Sequence, residues 1–393
     1  MPPERVILIG NYRPDGQESM LRFANLLADG FGQRGFATEI LAPPPILART
    51  QVCTARGWRK WIGYIDKWIL FPRKLRRTAV KILEDSGDNV RFHICDHSNA
   101  PYLAHLPQDR TAITCHDVLA IRGALGDAAA YCPASPTGVI LQRWILGHLR
   151  RAKRIACVSQ QTHRHLCEVA KAPAASCEWT VIHNALNADF KRIEPEEAGR
   201  ILQRHGHIWT KPFLLHVGSS ALRKNRGMLL RMVNLAGRRW QGNICFAGEP
   251  MGEDLIAQAG RLGLSNRVHE VTKPDHQTLC ALYSLAHSVV LPSFSEGFGW
   301  PLVEAQACGA PVIASNIESL VEVSGGAALH ADPDDAQGFV SSLFTLENET
   351  VRRTLQAGGL NNITRFSMDS MTDKYLALHR LEEMPSACSA AAG

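Results

Sequence analysis

Short apolar runs alternate with amphipathic helical patterns along most of this 393-residue chain. RVILIG, RFHIC, TAITC and RIACVS have the length of strands, and stretches between them such as SMLRFANLLADGFGQRG have helical periodicity. A second series of strand-like runs, PFLLHVG, NICFAG, RVHEV, SVVLPS and PVIAS, follows a charged stretch from Ala188 to Thr210. Because strands that alternate with helices pair in parallel and are covered on both faces, we expect an α/β fold. The interruption predicts two doubly wound, Rossmann-like domains that face each other across a cleft.

The length of the chain fits this division, since a domain takes roughly 100–200 residues. A composition of 45% hydrophobic and 20% charged residues is that of an ordinary globular protein. We expect a first domain over 1–190, a linker over 191–210 and a second domain over 211–365. A last helix over 366–384 is expected to cross back to the first domain, and a small-residue tail over 385–393 to be disordered.

Eleven cysteines are spread along the chain, mostly within apolar runs. An odd number of dispersed, buried thiols is typical of a protein kept in a reducing compartment. The sequence contains no apolar run of about 18 residues, and its first residues do not resemble a signal peptide. We therefore expect a cytoplasmic protein.

The formal net charge of +6 is concentrated in one segment. Residues 56–81 carry nine basic side chains and a single acid, so this segment has a charge of +8 and the rest of the chain −2. A nucleic-acid-binding protein would be expected to spread its basic residues more widely. We therefore expect no nucleic-acid partner.

The segment LPSFSEGFGWPLVEAQACGAPVIAS, Leu291 to Ser315, is a candidate anion site. A strand ends before a glycine-rich turn, and Pro301 stands where a helix would begin. The free N–H groups of a helix start, with those of residues 297–299, suit a phosphate. Glu296 and Glu304 flank this turn, and a carboxylate can accept hydrogen bonds from two neighbouring sugar hydroxyls. Taken from spacing alone, an ordinary strand-to-helix connection with solvated acids is equally compatible with the sequence.

Further candidates follow other strands. Arg223 and Lys224 follow the strand LLHVG, and adjacent cations could neutralise a diphosphate. His116 and Asp117 follow the strand AITC of the first domain, where a histidine could bind a sugar. The remaining candidates are Gly16 in GNYRPDGQ, and Asp96 and Asn99 in CDHSNAPY.

EGFGWPLVEA closely resembles the Glu-x7-Glu motif of family 4 retaining glycosyltransferases, which have the GT-B fold. The resemblance implies that Glu296 meets the donor sugar, that Glu304 meets the ribose, and that Gly297, Phe298 and Gly299 hold the diphosphate through their backbone. It also implies that Arg223 and Lys224 clamp the diphosphate near Gly218 and that His116 faces the donor. Trp300 stands where a smaller apolar residue is commoner in the family, and Ser219 where some members have arginine.

The resemblance implies a hexosyltransferase that uses a GDP- or UDP-linked sugar, retains the anomeric configuration, and needs neither a metal nor another cofactor. Gly16 would contact the donor, while Asp96, Asn99 and Asp117 would contact the acceptor. In such a reaction the departing phosphate oxygen takes the acceptor's proton, and the cations stabilise the charge that builds on the diphosphate.

Other classes of function fit less well. A nicotinamide-dependent dehydrogenase needs a G-x-G-x-x-G turn and a later acid, and GNYRPDGQ and EILAPPP supply neither. His163, His165 and Cys167 lack the second ligand pair that a zinc site needs. A GT-B relative that binds a sugar nucleotide without transfer, or an epimerase, remains an alternative.

Three tryptophans fall within the basic segment. Trp58, Trp61 and Trp68 recur at helical spacing with isoleucines and Pro72 in GWRKWIGYIDKWILFPRKLRRTAVK. Tryptophan combined with lysine and arginine is typical of helices that lie at the surface of anionic membranes. A core helix with a basic outer face would give the same pattern, so both interpretations stay open. The first would suit a lipid-linked acceptor of a cell-surface polysaccharide pathway and a peripheral location at the inner face of the cell membrane.

Overall fold

The structure is a computed structural model that describes residues 4–48, 59–171, 177–207 and 209–382. The chain forms two compact units. Unit 1 comprises Met1–Ala124, Ala134–Asn187 and Met368–Gly393, and unit 2 comprises Leu125–Pro133 and Ala188–Ser367. The expected tail, 385–393, lies outside the described residues, as do Arg56 and Trp58 of the basic segment.

Unit 1 contains a six-stranded parallel sheet of short apolar strands. In chain order these are β1 (Arg5–Ile9), β2 (Ala37–Leu41), β3 (Val90–Ile94), β4 (Thr111–Cys115), β5 (Arg154–Cys157) and β6 (Glu178–Val181). They are ordered β2-β1-β3-β4-β5-β6. The strand order reverses between β1 and β3, so a crevice is expected beyond the carboxyl ends of these two strands.

Helices cover this sheet. They are α1 (Glu18–Gln33), α2 (Arg59–Ile65), α3 (Phe71–Ser86), α4 (Leu119–Ala124), α5 (Pro136–Leu149), α6 (Gln160–Ala170) and, after unit 2, the C-terminal α15 (Met368–His379). A continuous core forms between strands such as β3, with Phe92 and Ile94, and the buried faces of α3 and α5. All residues of β4 and β5 are buried, as expected for strands covered on both faces, whereas the edge strands β2 and β6 are partly exposed.

Unit 2 repeats the architecture with a different strand order. Its strands are β7 (Phe213–Gly218), β8 (Asn243–Gly248), β9 (Val268–Thr272), β10 (Ser288–Leu291), β11 (Val312–Ser315) and β12 (Leu329–Ala331). Its helices are α7 (Pro195–Arg204), α8 (Gly227–Ala236), α9 (Glu253–Arg261), α10 (His276–Leu285), α11 (Trp300–Ala307), α12 (Glu318–Ser324), α13 (Ala336–Thr345) and α14 (Glu349–Asn362). The order β12-β11-β10-β7-β8-β9 is that of a dinucleotide-binding fold, with its reversal between β7 and β10. The predicted doubly wound α/β fold is thus confirmed.

The units divide the chain differently from the boundaries expected from sequence. Residues 125–133 were expected within the first domain, 1–190, but they pack with unit 2. The ring of Tyr131 stacks on that of Phe294, with centroids 4.2 Å apart and planes 7° from parallel. Such contacts depend on side chains far apart in sequence, so no change of composition marks this boundary.

The C-terminal helix α15 packs within unit 1. Arg34 at the end of α1 forms an ion pair of 2.7 Å with Asp373. In the interior, His93 of β3 lies 3.0 Å from His379 and 2.8 Å from Thr114, which in turn bonds Tyr375. A chain of buried polar contacts therefore fixes α15 to the sheet of unit 1.

The basic segment forms two helices joined by a π turn. The turn, Asp66–Leu70, lies between α2 and α3. Pro72 is buried, and Trp68 packs against Tyr102 and Trp144. Trp61 is 58% exposed, and Ile65 and Ile69 are exposed as well. The stripe therefore splits, one part joining the core and the other facing outward. Among the described helices, none combines the length and apolar composition needed to cross a bilayer.

Candidate active site

In unit 2, the candidate donor-binding residues follow the two strands at which the strand order reverses. Arg223 and Lys224 lie in a short 3-10 turn after β7, and Glu296 lies in the loop after β10. Helix α11 begins at Trp300, with Pro301 in its first turn. Gly299 precedes it with a φ of 98°, and a Cβ there would lie 2.5 Å from Leu320 Cδ2. The tight approach to α12 therefore requires glycine at this turn.

The carboxylate of Glu296 bonds both cations. Its Oε1 accepts from Lys224 Nζ at 2.5 Å, and its Oε2 accepts from Arg223 Nη1 at 2.8 Å. Ser293 Oγ donates a further bond of 2.7 Å to Oε1. Glu296 and Lys224 are both buried. The structure thus brings three of the predicted site residues into one charged cluster.

The electrostatic balance of this cluster keeps Glu296 ionised. Burial alone would raise the pKa of its carboxyl group, but the charges of Lys224 and Arg223 outweigh burial and lower the pKa to about 2. The cluster therefore holds one ionised carboxylate between two cations.

The loop that carries the cations is pinned by contacts that the sequence did not reveal. Asn225 adopts a φ of 49°, and its amide donates to the carbonyls of Pro292 and Pro333 at 2.9 and 2.8 Å. The N–H of Phe294 donates to the carbonyl of Arg223 at 2.8 Å. These bonds tie the β7 loop to the β10 loop, so the cations and Glu296 are held in register.

Glu304 lies on α11, and its side chain bonds a residue outside this ion cluster. Its Oε2 accepts a bond of 2.8 Å from the hydroxyl of Tyr283 on α10. Burial and the neighbouring carboxylate raise the pKa of Tyr283 well above its usual value, so the phenol remains a donor. Tyr283 was missed because neither its spacing nor its neighbours in sequence mark it.

The smaller candidates surround the ion cluster. A Cβ at Gly218 would lie 3.6 Å from the side chain of Lys224. The ring of Phe298 is buried against Phe366, so only the backbone of residues 297–299 could serve a ligand. His216, also missed from sequence, lies on β7, where burial lowers the pKa of its imidazole to about 3. It therefore adds no positive charge to the cluster.

In unit 1 a buried polar network lies beyond β1 and β3. Asn11 donates to Asp96 Oδ2 and to Gln17 Oε1, each at 2.6 Å, and Asn99 donates to Asn11 at 3.0 Å. Burial would raise the pKa of Asp96, yet the adjacent His97 helps to hold it well below its usual range. Asp96 and Asn99 are therefore buried and bonded to the same side chain, Asn11.

Of the other unit 1 candidates, His116 lies next to this network. His116 Nε2 lies 2.9 Å from the carbonyl of Cys95, and burial lowers the pKa of this histidine. Asp117 Oδ1 accepts from the N–H of Leu119 at the start of α4. Gly16 has a φ of 68°, and a Cβ there would meet no atom within 4 Å. Gly16 is therefore the most open of these candidates.

Across the four described ranges, His, Cys, Asp and Glu side chains nowhere gather in threes in a way that could hold a metal ion. His163 instead bonds the carbonyl of Trp179, at 3.2 Å.

Comparison with known proteins shows which proteins this chain is similar to. The sequence model described as "Glycosyl transferases group 1" matches residues 199–357, which include the ion cluster and Glu304. The chain is 31% identical over 241 residues to O-antigen chain mannosyltransferase B of Escherichia coli, over 59% of this chain. It spans 62% of that relative's length, slightly less than two thirds. It is 24% identical to O-antigen chain mannosyltransferase RfbU of Salmonella typhimurium, over 88% of this chain and 85% of the relative.

Solved structures show the same fold over nearly the whole chain. A crystal structure of HepE from Anabaena, in complex with UDP and glucose, superimposes with a TM-score of 0.70 at 17% identity. The match covers 95% of this chain and 98% of that structure. The chain is therefore a two-domain α/β protein of the GT-B fold, and its residues 199–357 match the family model of group 1 glycosyl transferases.

Proposed function

We propose that this protein transfers a hexose, mannose or a similar sugar, from a nucleoside diphosphate to an acceptor hydroxyl with retention of the anomeric configuration. The observation that carries this proposal is the contact of Glu296 with both Lys224 and Arg223 at the reversal point of the unit 2 sheet. Two adjacent cations on a pinned loop suit a diphosphate.

A donor diphosphate would compete with Glu296 for the cations. A diphosphate carries more charge than one carboxylate and can accept from the arginine fork and the ammonium group together. Its oxygens would also accept from N–H groups at the start of α11. Once exchanged, the Glu296 carboxylate would be available to accept bonds from hydroxyls of the donor sugar, and Glu304 from those of the ribose.

The chemical step follows from this arrangement. The bond between the anomeric carbon and the phosphate oxygen breaks as the bond to the acceptor oxygen forms on the same face. The acceptor's proton passes to the departing phosphate oxygen, so the products are the glycoside and the nucleoside diphosphate. Arg223 and Lys224 stabilise the charge that accumulates on the diphosphate, and we propose that they make a divalent metal unnecessary.

The donor and acceptor are proposed from the relatives. Two O-antigen mannosyltransferases favour mannose and a cell-surface polysaccharide, and the HepE complex shows UDP in a protein of this fold. Both GDP- and UDP-linked donors are therefore candidates. The exposed Trp61 in a strongly basic segment supports peripheral binding to an anionic membrane through 56–81, where a lipid-linked acceptor would be found.

A panel of GDP- and UDP-linked sugars, tested by thermal shift on the purified protein, is the most direct test. A ligand at 100 times its dissociation constant stabilises a protein by about 2.7 kcal/mol, which a melting curve resolves. We expect one donor to stabilise the protein and to be consumed when a lipid-linked acceptor is added. Stabilisation without any transfer would favour a non-catalytic sugar-nucleotide-binding protein, and no stabilisation by any member would contradict the proposal.

A further inference from the structure

Unit 1 exposes apolar side chains on two segments besides the α2–α3 stripe. On α5, Ile140 is 70% exposed and Trp144 is 42% exposed. Ile46 and Leu47, which follow β2, are about half exposed. Neither segment belongs to the basic segment 56–81.

Specific contacts join these segments to the stripe. The ring of Trp144 on α5 meets that of Trp68 edge-on, with centroids 5.1 Å apart. Asp66 accepts from the N–H of Leu47 at 3.0 Å. Both α5 and residues 46–47 are therefore packed against the π turn, and we call the exposed apolar side chains of the three segments the apolar band.

Buried polar contacts hold the segments of the band in place. The buried carboxylate of Asp66 also accepts from the Tyr12 hydroxyl at 2.6 Å and from the N–H of Ala48 at 3.3 Å. Lys67 forms an ion pair of 2.6 Å with Asp15, and its carbonyl accepts from the Tyr102 hydroxyl. Exposure of the band is thus a consequence of fixed packing in unit 1.

The charges beside the band indicate which kind of surface it would bind. Residues 59–81 carry eight basic side chains, and their one acid, Asp66, is buried. Helix α5 contains no acidic residue and exposes Arg143 next to Trp144. Tryptophan and isoleucine ringed by lysine and arginine match the boundary between headgroups and acyl chains of an anionic bilayer.

We propose that α5 and residues 46–47 enter the surface of an anionic bilayer together with the α2–α3 stripe. This inference rests on the membrane binding proposed above and extends it from one helix to three segments. Basic residues supply long-range attraction, and the band supplies the apolar contact that remains when salt screens those charges.

The test uses the full-length protein and vesicles of equal parts phosphatidylglycerol and phosphatidylcholine. We expect Ile140→Ser combined with Trp144→Ser to weaken partitioning into these vesicles about tenfold, because two apolar side chains lose burial. The matched control, Leu235→Ser with Ile256→Ser, removes two equally exposed apolar side chains from unit 2 and should change partitioning less than twofold. Binding by the wild-type protein should fall with salt but leave a measurable remainder.

If loss of the Trp144 contact prevents the double variant from folding, Ile140→Ser alone replaces it in the assay. This single variant should weaken partitioning about threefold. Hydrogen exchange of the wild-type protein gives an independent readout, with vesicles expected to protect 136–149 and 46–48. Unchanged partitioning of both variants, or no protection of these segments, would overturn the inference. Donor binding measured on the same samples separates membrane binding from sugar transfer, because stabilisation by a sugar nucleotide without vesicle binding overturns both membrane proposals and leaves sugar transfer standing.

Discussion

Lys224 and Glu296 form a buried ion pair of 2.5 Å between the loops that follow β7 and β10. Arg223, in the same turn as Lys224, lies with its Nη1 2.8 Å from the other carboxylate oxygen of Glu296. The buried carboxylate stays ionised because the two cations, together with the Ser293 hydroxyl, offset its desolvation.

Replacing both cations tests the diphosphate clamp. Arg223→Ala combined with Lys224→Ala should lower turnover about 100-fold or more, because each cation acts as a preorganised stabiliser of the leaving group. Steady-state rates with a saturating donor provide the measurement. Turnover within threefold of the wild-type value would contradict the assignment.

The matched control for this variant lies elsewhere in unit 2. Arg238→Ala with Arg261→Ala removes two exposed cations from the same unit and should leave turnover unchanged within twofold. A chelator should also leave the wild-type rate unchanged if these side chains supply the charge. Loss of activity on chelation would indicate a metal-dependent enzyme instead.

The two glutamates should differ in which ligand they affect. Glu304→Gln should weaken both the free nucleoside diphosphate and the sugar nucleotide, by about 1–3 kcal/mol, if this carboxylate binds the ribose. Glu296→Gln should spare the free nucleoside diphosphate, because it leaves Lys224 and Arg223 without their carboxylate partner.

Calorimetry with both ligands separates these outcomes. Tyr283→Phe is the companion variant for Glu304, since it removes the 2.8 Å bond that orients the carboxylate while keeping the ring. Tyr283→Phe should weaken binding of both ligands, as Glu304→Gln does, but by a smaller amount. Equal losses for both ligands in Glu296→Gln would reverse or discard the assigned roles.

The parts of this site that the sequence predicted are those with a local signature. Pro301 and the glycines before it mark a helix start after a strand, and adjacent basic residues mark the β7 loop. Strand alternation gave the two parallel sheets. These features depend on neighbours in the chain, so a single sequence contains them.

The remaining features depend on contacts between distant segments. Asn225 bonds carbonyls 67 and 108 residues away, and nothing near it in sequence indicates that role. The split of the tryptophan stripe depends on which side chains α5 and Tyr102 cover. A π turn at Asp66–Leu70 also shifts the helical phase, which a regular periodicity cannot predict.

The basic face of α3 should control the salt-dependent part of membrane binding. Changing Arg73, Lys74, Arg76 and Arg77 to glutamine should abolish the salt-dependent part of sedimentation with anionic vesicles, since each contributes about 1 kcal/mol near such a surface. Donor binding should be unaffected. The control changes four exposed arginines of unit 2, Arg200, Arg204, Arg231 and Arg261, to glutamine. Equal loss in both variants would mean that net charge, and not this face, is responsible.

Acid should destabilise the protein through buried histidines of unit 1. Burial lowers the pKa of His379 to about 3, and burial with the neighbouring His379 holds that of His93 well below 6.5. The unfolded chain takes up these protons near its ordinary pKa while the folded chain does not. The stabilisation is therefore complete above about pH 6.5 and is lost as pH falls below it, by up to about 1.4 kcal/mol per pH unit for each proton. Denaturant unfolding at two pH values should show a smaller difference in His93→Gln with His379→Gln than in the wild type.

Removing the carboxylate of Asp66 should destabilise unit 1 and loosen the apolar band. This side chain is buried and accepts from the Tyr12 hydroxyl and from the N–H groups of Leu47 and Ala48. In Asp66→Ala each donor left unsatisfied should cost roughly 1–3 kcal/mol, whereas Asp85→Ala, an exposed acid on α3, should cost less than about 0.5 kcal/mol. Denaturant unfolding gives the cost, and hydrogen exchange should show faster exchange at Leu47 and Ala48. A cost as small as that of Asp85→Ala would mean that these bonds do not anchor the π turn, and packing of Trp68 against Tyr102 and Trp144 would then have to hold it.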